Sequence, residues 1–345
     1  MNVADVSFAQ LLSNLARVSH DQFAIDFGGI DQDIVAMLSS PKSQKIRTRR
    51  RAEMEQSDPL WPGVERLGQL KFGEPASAPQ LLAGQVAAID GANVLPLQQY
   101  SIGQAVCLAI GSVSHTRALS NALHYWSTKL DLEQVKTEQE FYQVQEEYLF
   151  GINPSALLRY LEVQHALEIA EPYIFLDGPI VYEWLCGQNV GIELYKELLA
   201  KKKVIGIIKN LGTSKRLAMY GSLLRPGEFY IHQNLEEHLS SHDVHMAGDF
   251  LETHARYIYR GVFKPALTAF GFEVHQNNLV ELMNLVAADC ALTHIGHEIP
   301  YLLDLVDQEI RAISPTDLLK NQIAAAMHRE SEELFFQNSD EFDFR

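Results

Sequence analysis

VAAIDG at residues 86–91 and YIFLDG at residues 173–178 are two short apolar runs that both end in Asp-Gly. Four consecutive apolar residues bounded by turn signals read as a buried strand, the kind found in a helix-covered sheet. A carboxylate that closes such a strand is held rigidly at the edge of the sheet. The glycine after it permits a sharp turn and leaves space for a bulky substrate. One Asp-Gly after a strand is a common turn element. Two of them on apolar strands make Asp90 and Asp177 candidates for a shared anionic pocket that suits hard divalent cations. Paired ions of that kind can activate water and stabilise a leaving oxygen in phosphodiester hydrolysis.

Outward from these two runs, the chain alternates strands and helices. Ala105–Ile110 is a second strand bracketed by Gly103 and Gly111, and helices are predicted over Thr137–Phe150 and Ser155–Ala170, the latter with Asn153-Pro154 as cap and first-turn proline. A helix at Ile192–Lys201 leads into the strand Val204–Ile208, which ends at Lys209. Further strands are predicted at Glu228–His232, Ala255–Phe263 and Phe270–His275, then helices at Leu279–Leu292, Tyr301–Ile313 and from Thr316. The class is therefore α/β, with one domain over residues 81–330. Residues 1–80 form an accessory, mostly helical region with a helical apolar spacing at Val3–Val18 and a loop-like stretch at Pro59–Gly63; residues 331–345 are an acidic tail.

Composition narrows the function. The chain has 345 residues, and 47% hydrophobic content fills a substantial core. Cys107, Cys186 and Cys290 lie far apart with no CxxC pair, which points away from disulfides and thiolate zinc and toward a reducing cytoplasm. No secretory leader pattern and no apolar run of about 18 residues is present, so no membrane span is expected. P-loop, GxGxxG and GxSxG motifs are absent, which argues against intrinsic ATPase, dinucleotide and serine-hydrolase chemistry. HLSSHDVH, with His238, His242 and His245, has little apolar content and reads as a solvated loop, and His294 and His297 read as an interhelix turn. A formal charge of −16 would repel nucleic acid if spread evenly, but the cations are concentrated in Lys42–Arg51, Lys201–Lys203 and Lys209–Arg216.

Helical spacing adds two carboxylates. Glu162 has Leu158, Ala166 and Ile169 as helical neighbours and borders an apolar face, where a carboxylate is costly unless paired or metal-bound. Asp307 borders the apolar stripe of Leu303 and Ile310; a plainer role for it is a surface ion pair with Arg311. Lys209 at a strand end, followed by Lys215 and Arg216, could contact phosphates. In RYIYR, Tyr257 and Tyr259 would share one strand face, with Arg256 and Arg260 on the other. Tyr259 and Arg260 are the candidates there for base stacking and phosphate contact, against simple sheet packing.

The ordered series AIDG (88–91), Glu162, FLDGP (175–179), GIIKN (206–210), YIYR (257–260) and IPYLLDLVDQEIR (299–311) resembles the NurA nucleases, which act with the HerA ATPase at DNA ends. The likeness runs from Gln85 to Arg311 and does not cover residues 1–80. It implies an RNase H-like fold, a mixed five-stranded sheet with flanking helices, and manganese- or magnesium-dependent DNA cleavage. It also implies 5′ to 3′ exonuclease and single-strand endonuclease activity, and a homodimer that docks on a hexameric HerA-type translocase in DNA end processing and repair. Carried over by position, Asp90, Glu162, Asp177 and Asp307 are the metal ligands, and Pro300-Tyr301 matches the family's Pro-Tyr pair. Lys209 would neutralise the pentacovalent phosphate and Tyr301 would position the strand or a ligating carboxylate. Ala92-Asn93 and Asn210 depart from the family's usual residues, which bears on substrate contacts rather than on ligands. The rival expectations are a non-catalytic DNA clamp or regulatory subunit of a translocase, and an RNase H-like nuclease acting on RNA–DNA hybrids.

Overall fold

A computed structural model describes residues 35–60, 65–69, 79–100, 103–127, 137, 153–240, 250, 253–292, 299–313 and 321. The helices expected at 3–18, 138–150 and 316 onward, His242, His245, His294 and His297, and the tail 331–345 lie outside the described residues. The chain divides into two compact units, residues 1–57 and 58–345. In the first, the basic run forms helix α1 (Pro41–Glu55), where Ser40 Oγ accepts from the Ser43 N–H at 3.2 Å and Pro41 opens the first turn. Its charges pair along the helix, Arg50 with Glu53 at 2.9 Å and Arg51 with Glu55 at 2.7 Å.

Among the described residues, the second unit is built on one nine-stranded mixed sheet, in the order β1-β7-β8-β9-β6-β5-β2-β3-β4. The strands are β1 (Leu67–Gln69), β2 (Val86–Tyr100), β3 (Gly103–Ser114), β4 (Arg117–Ser127), β5 (Tyr173–Asp177), β6 (Lys203–Ile208), β7 (Glu228–Asn234), β8 (Ile258–Lys264) and β9 (Phe270–His275). The five-stranded sheet implied by the resemblance is thus corrected to nine. The antiparallel β7, β8 and β9 extend the same sheet from the open edge of β6, and β1 adds a short outermost strand.

VAAID and YIFLD are neighbours and parallel, with Val86 opposite Tyr173 through to Ile89 opposite Leu176; β5 pairs in parallel with β6 in turn. Side chains on successive strand residues point to opposite faces. Ala88, Phe175, Ile205 and Ile207 therefore enter one core, beneath helices α8 (Leu279–Cys290) and α9 (Tyr301–Ile313). Ala87, Ile89, Ile174, Leu176 and Val204 enter the other, with α3 (Pro154–Glu168) and α5 (Asn189–Lys201). Each fully buried Ile, Leu or Phe contributes about 1.5–3 kcal/mol relative to exposure, so both helical layers are held by strands apolar on two sides. Among the described residues, the remaining α-helices are α2 (Pro79–Leu82), α4 (Glu183–Cys186), α6 (Lys215–Leu223) and α7 (Leu235–Ser240). Asn153 caps α3 as the sequence predicts, its Oδ1 accepting from the Ala156 N–H at 3.1 Å with Pro154 in the first turn.

Two expectations about strand ends are revised. β2 does not stop at Asp90 but runs on to Tyr100, because β3 remains an antiparallel partner after β5 has ended. The strand expected from Ala255 begins at Ile258, and Ala255–Tyr257 is a 3₁₀ turn, so Tyr257 and Tyr259 do not share a strand face. The three cysteines are free thiols. Among the described residues, no helix is long and apolar enough to cross a membrane.

Candidate active site

β5 ends at Asp177 and β6 at Ile208, whereas β2 continues, so a notch opens beside β2 just past Ile89. Asp90 is the first residue beyond the paired stretch. Strand alternation turns Asp90, Asp177 and Lys209 toward the α8–α9 face, in phase with Ala88, Phe175 and Ile207. Opposite Asp90 on β3 stands Gly111, where a Cβ would meet Leu119 and Ile310 at 2.9–3.1 Å, so a bare backbone lets α9 pack close there. Glu162 approaches from α3 on the other face. A Cβ at Gly91 would lie 2.8 Å from Glu162 Oε1. Gly91 is thus no turn residue; it makes room for the third carboxylate. Gly178, by contrast, has φ of +83° and does turn the chain, and a Cβ there would also press on Arg159.

Two cations sit among these acids. Lys209 Nζ lies 2.8 Å from Asp177 Oδ2. Arg159, one turn before Glu162 on α3, places Nη1 2.8 Å from Glu162 Oε2 and donates from Nη2 to the Asp177 carbonyl at 2.5 Å. Arg159 and Glu162 are both buried. Arg159 did not figure in the sequence reading. Its signal was its place three residues before Glu162 on the same inward face, where a cation is expected to answer a buried acid.

The electrostatics follow from this crowding. Burial raises the Asp90 pKa well above the usual carboxylate value; Asp177 adds to the rise, Lys209 opposes it, and Glu162 adds further. The Gly91 N–H donates to Asp90 Oδ1 at 2.8 Å. Burial lifts Glu162 to about 7, with Arg159 pulling it down and Asp177 pushing it up. Burial alone would lower Lys209, but Asp177, Asp90 and Asp307 together overcome that and raise it, which keeps the ammonium charged. The notch is therefore a desolvated cluster of oxygen donors whose like charges oppose full ionisation.

Asp307 lies on α9 near enough to act on Lys209, and its Oδ1 is 3.0 Å from Nε of the exposed Arg311. The surface ion pair foreseen for it is thus present. Tyr301 is not brought into the cluster. It opens α9 nine residues before Ile310, about 13 Å along the helix axis. There its ring stacks on His115 at 5.8 Å between centroids. Beneath it, buried Asp289 accepts from the Leu302 N–H at 2.9 Å and stands 3.3 Å from His115 Nε2.

The residues expected to touch nucleic acid divide in two. Lys215 and Arg216 are exposed on the first turn of α6. Tyr259 is 1% exposed, with its ring in the core and its hydroxyl donating to Gln276 at 3.1 Å, so the stacking role expected for it is corrected to sheet packing. Arg260 is likewise mostly enclosed, with Nη1 3.3 Å from Oε1 of the buried Glu273. His238 pairs with Glu183 at 3.1 Å.

Among the described residues, no group of three or more His, Cys, Asp or Glu side chains forms a ready-made metal cage, and Lys209 and Arg159 pair with Asp177 and Glu162. The donor set still fits a hard divalent cation. It is all carboxylate oxygen, and the repulsion that raises Asp90 and Glu162 is of the kind such an ion relieves.

The family model described as the NurA domain matches residues 84–311. No curated protein matches the chain. Among solved structures, the NurA nuclease from Sulfolobus solfataricus is 13% identical with a TM-score of 0.42, over 87% of this chain and 98% of that one. A NurA with manganese is 8% identical with a TM-score of 0.43, over 85% and 98%. A NurA bound to dAMP and manganese is 8% identical with a TM-score of 0.43, over 85% and 94%.

Proposed function

This chain belongs to the NurA family, and we propose on that footing that it is a two-metal deoxyribonuclease centred on the notch beside β2. The observation that carries the reading is the convergence of Asp90, Asp177 and Glu162 from two parallel strands and a facing helix, with Lys209 against Asp177. Asp90, Asp177, Glu162 and, from α9, Asp307 would hold Mn²⁺ or Mg²⁺. When bound, such ions supply Lewis-acid polarisation of the phosphate and a lowered pKa for water. Lys209, kept protonated by its acidic surroundings, meets the negative charge that builds on the pentacovalent phosphate. Arg159 holds the Asp177 carbonyl and the Glu162 carboxylate in fixed relation. Tyr301 acts through α9, since its stacking on His115 anchors the start of the helix that carries Asp307.

The order β4-β3-β2-β5-β6, an antiparallel meander joined to two parallel strands, supports an RNase H-like core inside the larger sheet. The activity is 5′ to 3′ exonuclease and single-strand endonuclease cleavage at DNA ends, by a homodimer that works with a HerA-type hexameric ATPase in break repair. The test is cleavage of 5′- and 3′-labelled single- and double-stranded DNA with manganese, magnesium or EDTA, by wild type and Asp177→Ala, with an RNA–DNA hybrid in parallel. Metal-dependent cutting of DNA, lost in the variant, is expected. Cutting that survives in an Asp90→Ala, Asp177→Ala double variant would sink the proposal, and preference for the hybrid would reassign the substrate.

A further inference from the structure

On the α3–α5 face of the sheet, three elements converge on His232 of β7. Arg66, just before β1, donates from Nη1 to the His232 carbonyl at 2.6 Å and from Nε to the Asp58 carbonyl at 2.7 Å. From above, Tyr220 of α6 sets its ring 5.0 Å from His232 and 4.7 Å from Tyr230. Arg216 lies four residues earlier on α6, on the same helix face, so it sits over the same spot. Arg260 reaches in from β8, where it is paired with Gln233, the residue after His232. Among the described residues, neither Arg66 nor Arg216 has a carboxylate partner, and only Arg260 meets one, Glu273.

We infer that Arg66, Arg216 and Arg260 around His232 form a binding site for a backbone phosphate of the nucleic-acid strand that leaves the notch. This rests on the nuclease reading above and adds to it a substrate contact from Arg66, which precedes the matched domain at residues 84–311. Three guanidinium groups gathered with one carboxylate cost stability in an isolated protein, and this chain carries a net charge of −16. Cations held together against that balance, with donors to spare, are arranged for an anion. Burial, then Arg216, Arg66 and Arg260, hold His232 down to about 4, so the ring is neutral at pH 7 and the arginines supply the charge. The site is on the sheet face opposite Asp90, Asp177 and Lys209, so a continuing strand reaches it around the end of β6. Arg260 lies level with Glu273, Gly206 and Leu176, three strands from β5 and about 14 Å from it at a strand spacing of about 4.8 Å. A contact to the phosphate alone is independent of base sequence.

The test is binding of fluorescein-labelled oligothymidylate to the full chain in EDTA, by anisotropy across a salt series. It compares wild type, Arg66→Gln, Arg216→Gln and Lys201→Gln, the last removing one charge from a lysine 60% exposed at the opposite end of β6. Each arginine variant is expected to flatten the log–log salt slope by about 0.7 and to weaken binding about fivefold near 0.1 M salt, as the loss of one phosphate contact to a single strand requires. Lys201→Gln is expected to change neither. Because Arg66 also braces β1, the exposed Arg216→Gln decides the matter if Arg66→Gln lowers the melting temperature. Unchanged slopes in Arg216→Gln, or an equal loss in Lys201→Gln, overturn the phosphate site while leaving the nuclease intact. Wild type that binds no DNA overturns the nuclease reading and this site together.

Discussion

Glu162 and Glu273 are two fully enclosed glutamates on the same side of one sheet, and they are treated in opposite ways. Burial raises the pKa of Glu273 on β9 too, but there structural partners oppose the rise. Its Oε2 accepts from the Ile180 and Val181 N–H groups at 2.9 and 3.4 Å, and Arg260 covers Oε1 at 3.3 Å. These bonds fold the loop after Asp177 back over the sheet, where Gly206 leaves room for it. Glu162 has one cation, Arg159, and faces Asp177 and Asp90, two acids that resist its ionisation. A buried acid paired with backbone donors and a guanidinium organises the fold. A buried acid packed against other acids is held at a cost, and costs of that kind mark functional sites.

The largest test of this contrast removes the acids of the notch. Asp90→Asn or Asp177→Asn should lower DNA cleavage by about a thousandfold or more, as loss of a charge-stabilising group at a reacting centre does. Circular dichroism should show the fold intact. If either variant instead unfolds the protein, the notch is a structural knot like that of Glu273. The converse change is Glu273→Ala, which leaves Arg260 and two N–H groups without their acceptor. It should destabilise by about 3–5 kcal/mol, read as a shift in the denaturant midpoint. A stability equal to wild type would show that the two glutamates are not different after all.

The third test has the opposite sign. Glu162 has a folded pKa of about 7, above the ordinary value of 4.5, so its neutral form is the one the fold prefers. The stability associated with that preference is complete below about pH 4 and is lost as pH rises through 7. In EDTA the wild type should therefore lose stability between pH 5 and pH 8, through Glu162 by up to about 3 kcal/mol. Glu162→Gln, fixed in a neutral form, should be more stable than wild type at pH 8 and similar at pH 4. A melting temperature that does not depend on pH in wild type, or a variant less stable at pH 8, would remove Glu162 from the strained set. Manganese should recover stability at pH 8 in wild type far more than in the variant.

Much of this arrangement was legible in the residues. VAAID and YIFLD are apolar on both faces, which only a helix-covered parallel pair requires, and they are neighbours here. The spacing of Leu158, Glu162 and Ala166 turns Glu162 inward, and Asn153-Pro154 marks the start of its helix. What the sequence did not reveal depends on partners distant in the chain. Residues 92–100 include Pro96 and two glutamines and carry no strong strand signal, yet they stay extended because β3 pairs with them. The stretch RALSNALHYWS lacks a dense apolar run because β4 is the edge strand, and its described side chains are mostly half-exposed. Alternation at Tyr259 and Arg260 gives a period of two but cannot say which face is covered, and here β8 is interior to the sheet. Arg159 is polar by type, and only the acids around it explain its burial.

The smallest expected effect concerns the boundary acid Asp307, which belongs to neither class of buried carboxylate. Its partner Arg311 is 75% exposed at helical i,i+4 spacing, a pair worth only about 0.3–0.5 kcal/mol. Arg311→Ala should therefore leave the melting temperature nearly unchanged. Asp307 also acts on Lys209, so it reaches toward the notch from the α9 side. If it completes the ion site, Arg311 competes for it, and Arg311→Ala should reduce the manganese concentration needed for half-maximal cleavage about twofold, the scale of so weak a pair. Asp307→Ala should raise that concentration by a larger factor. Should both variants keep the wild-type manganese dependence, Asp307 is a surface residue, and the site is Asp90, Asp177 and Glu162.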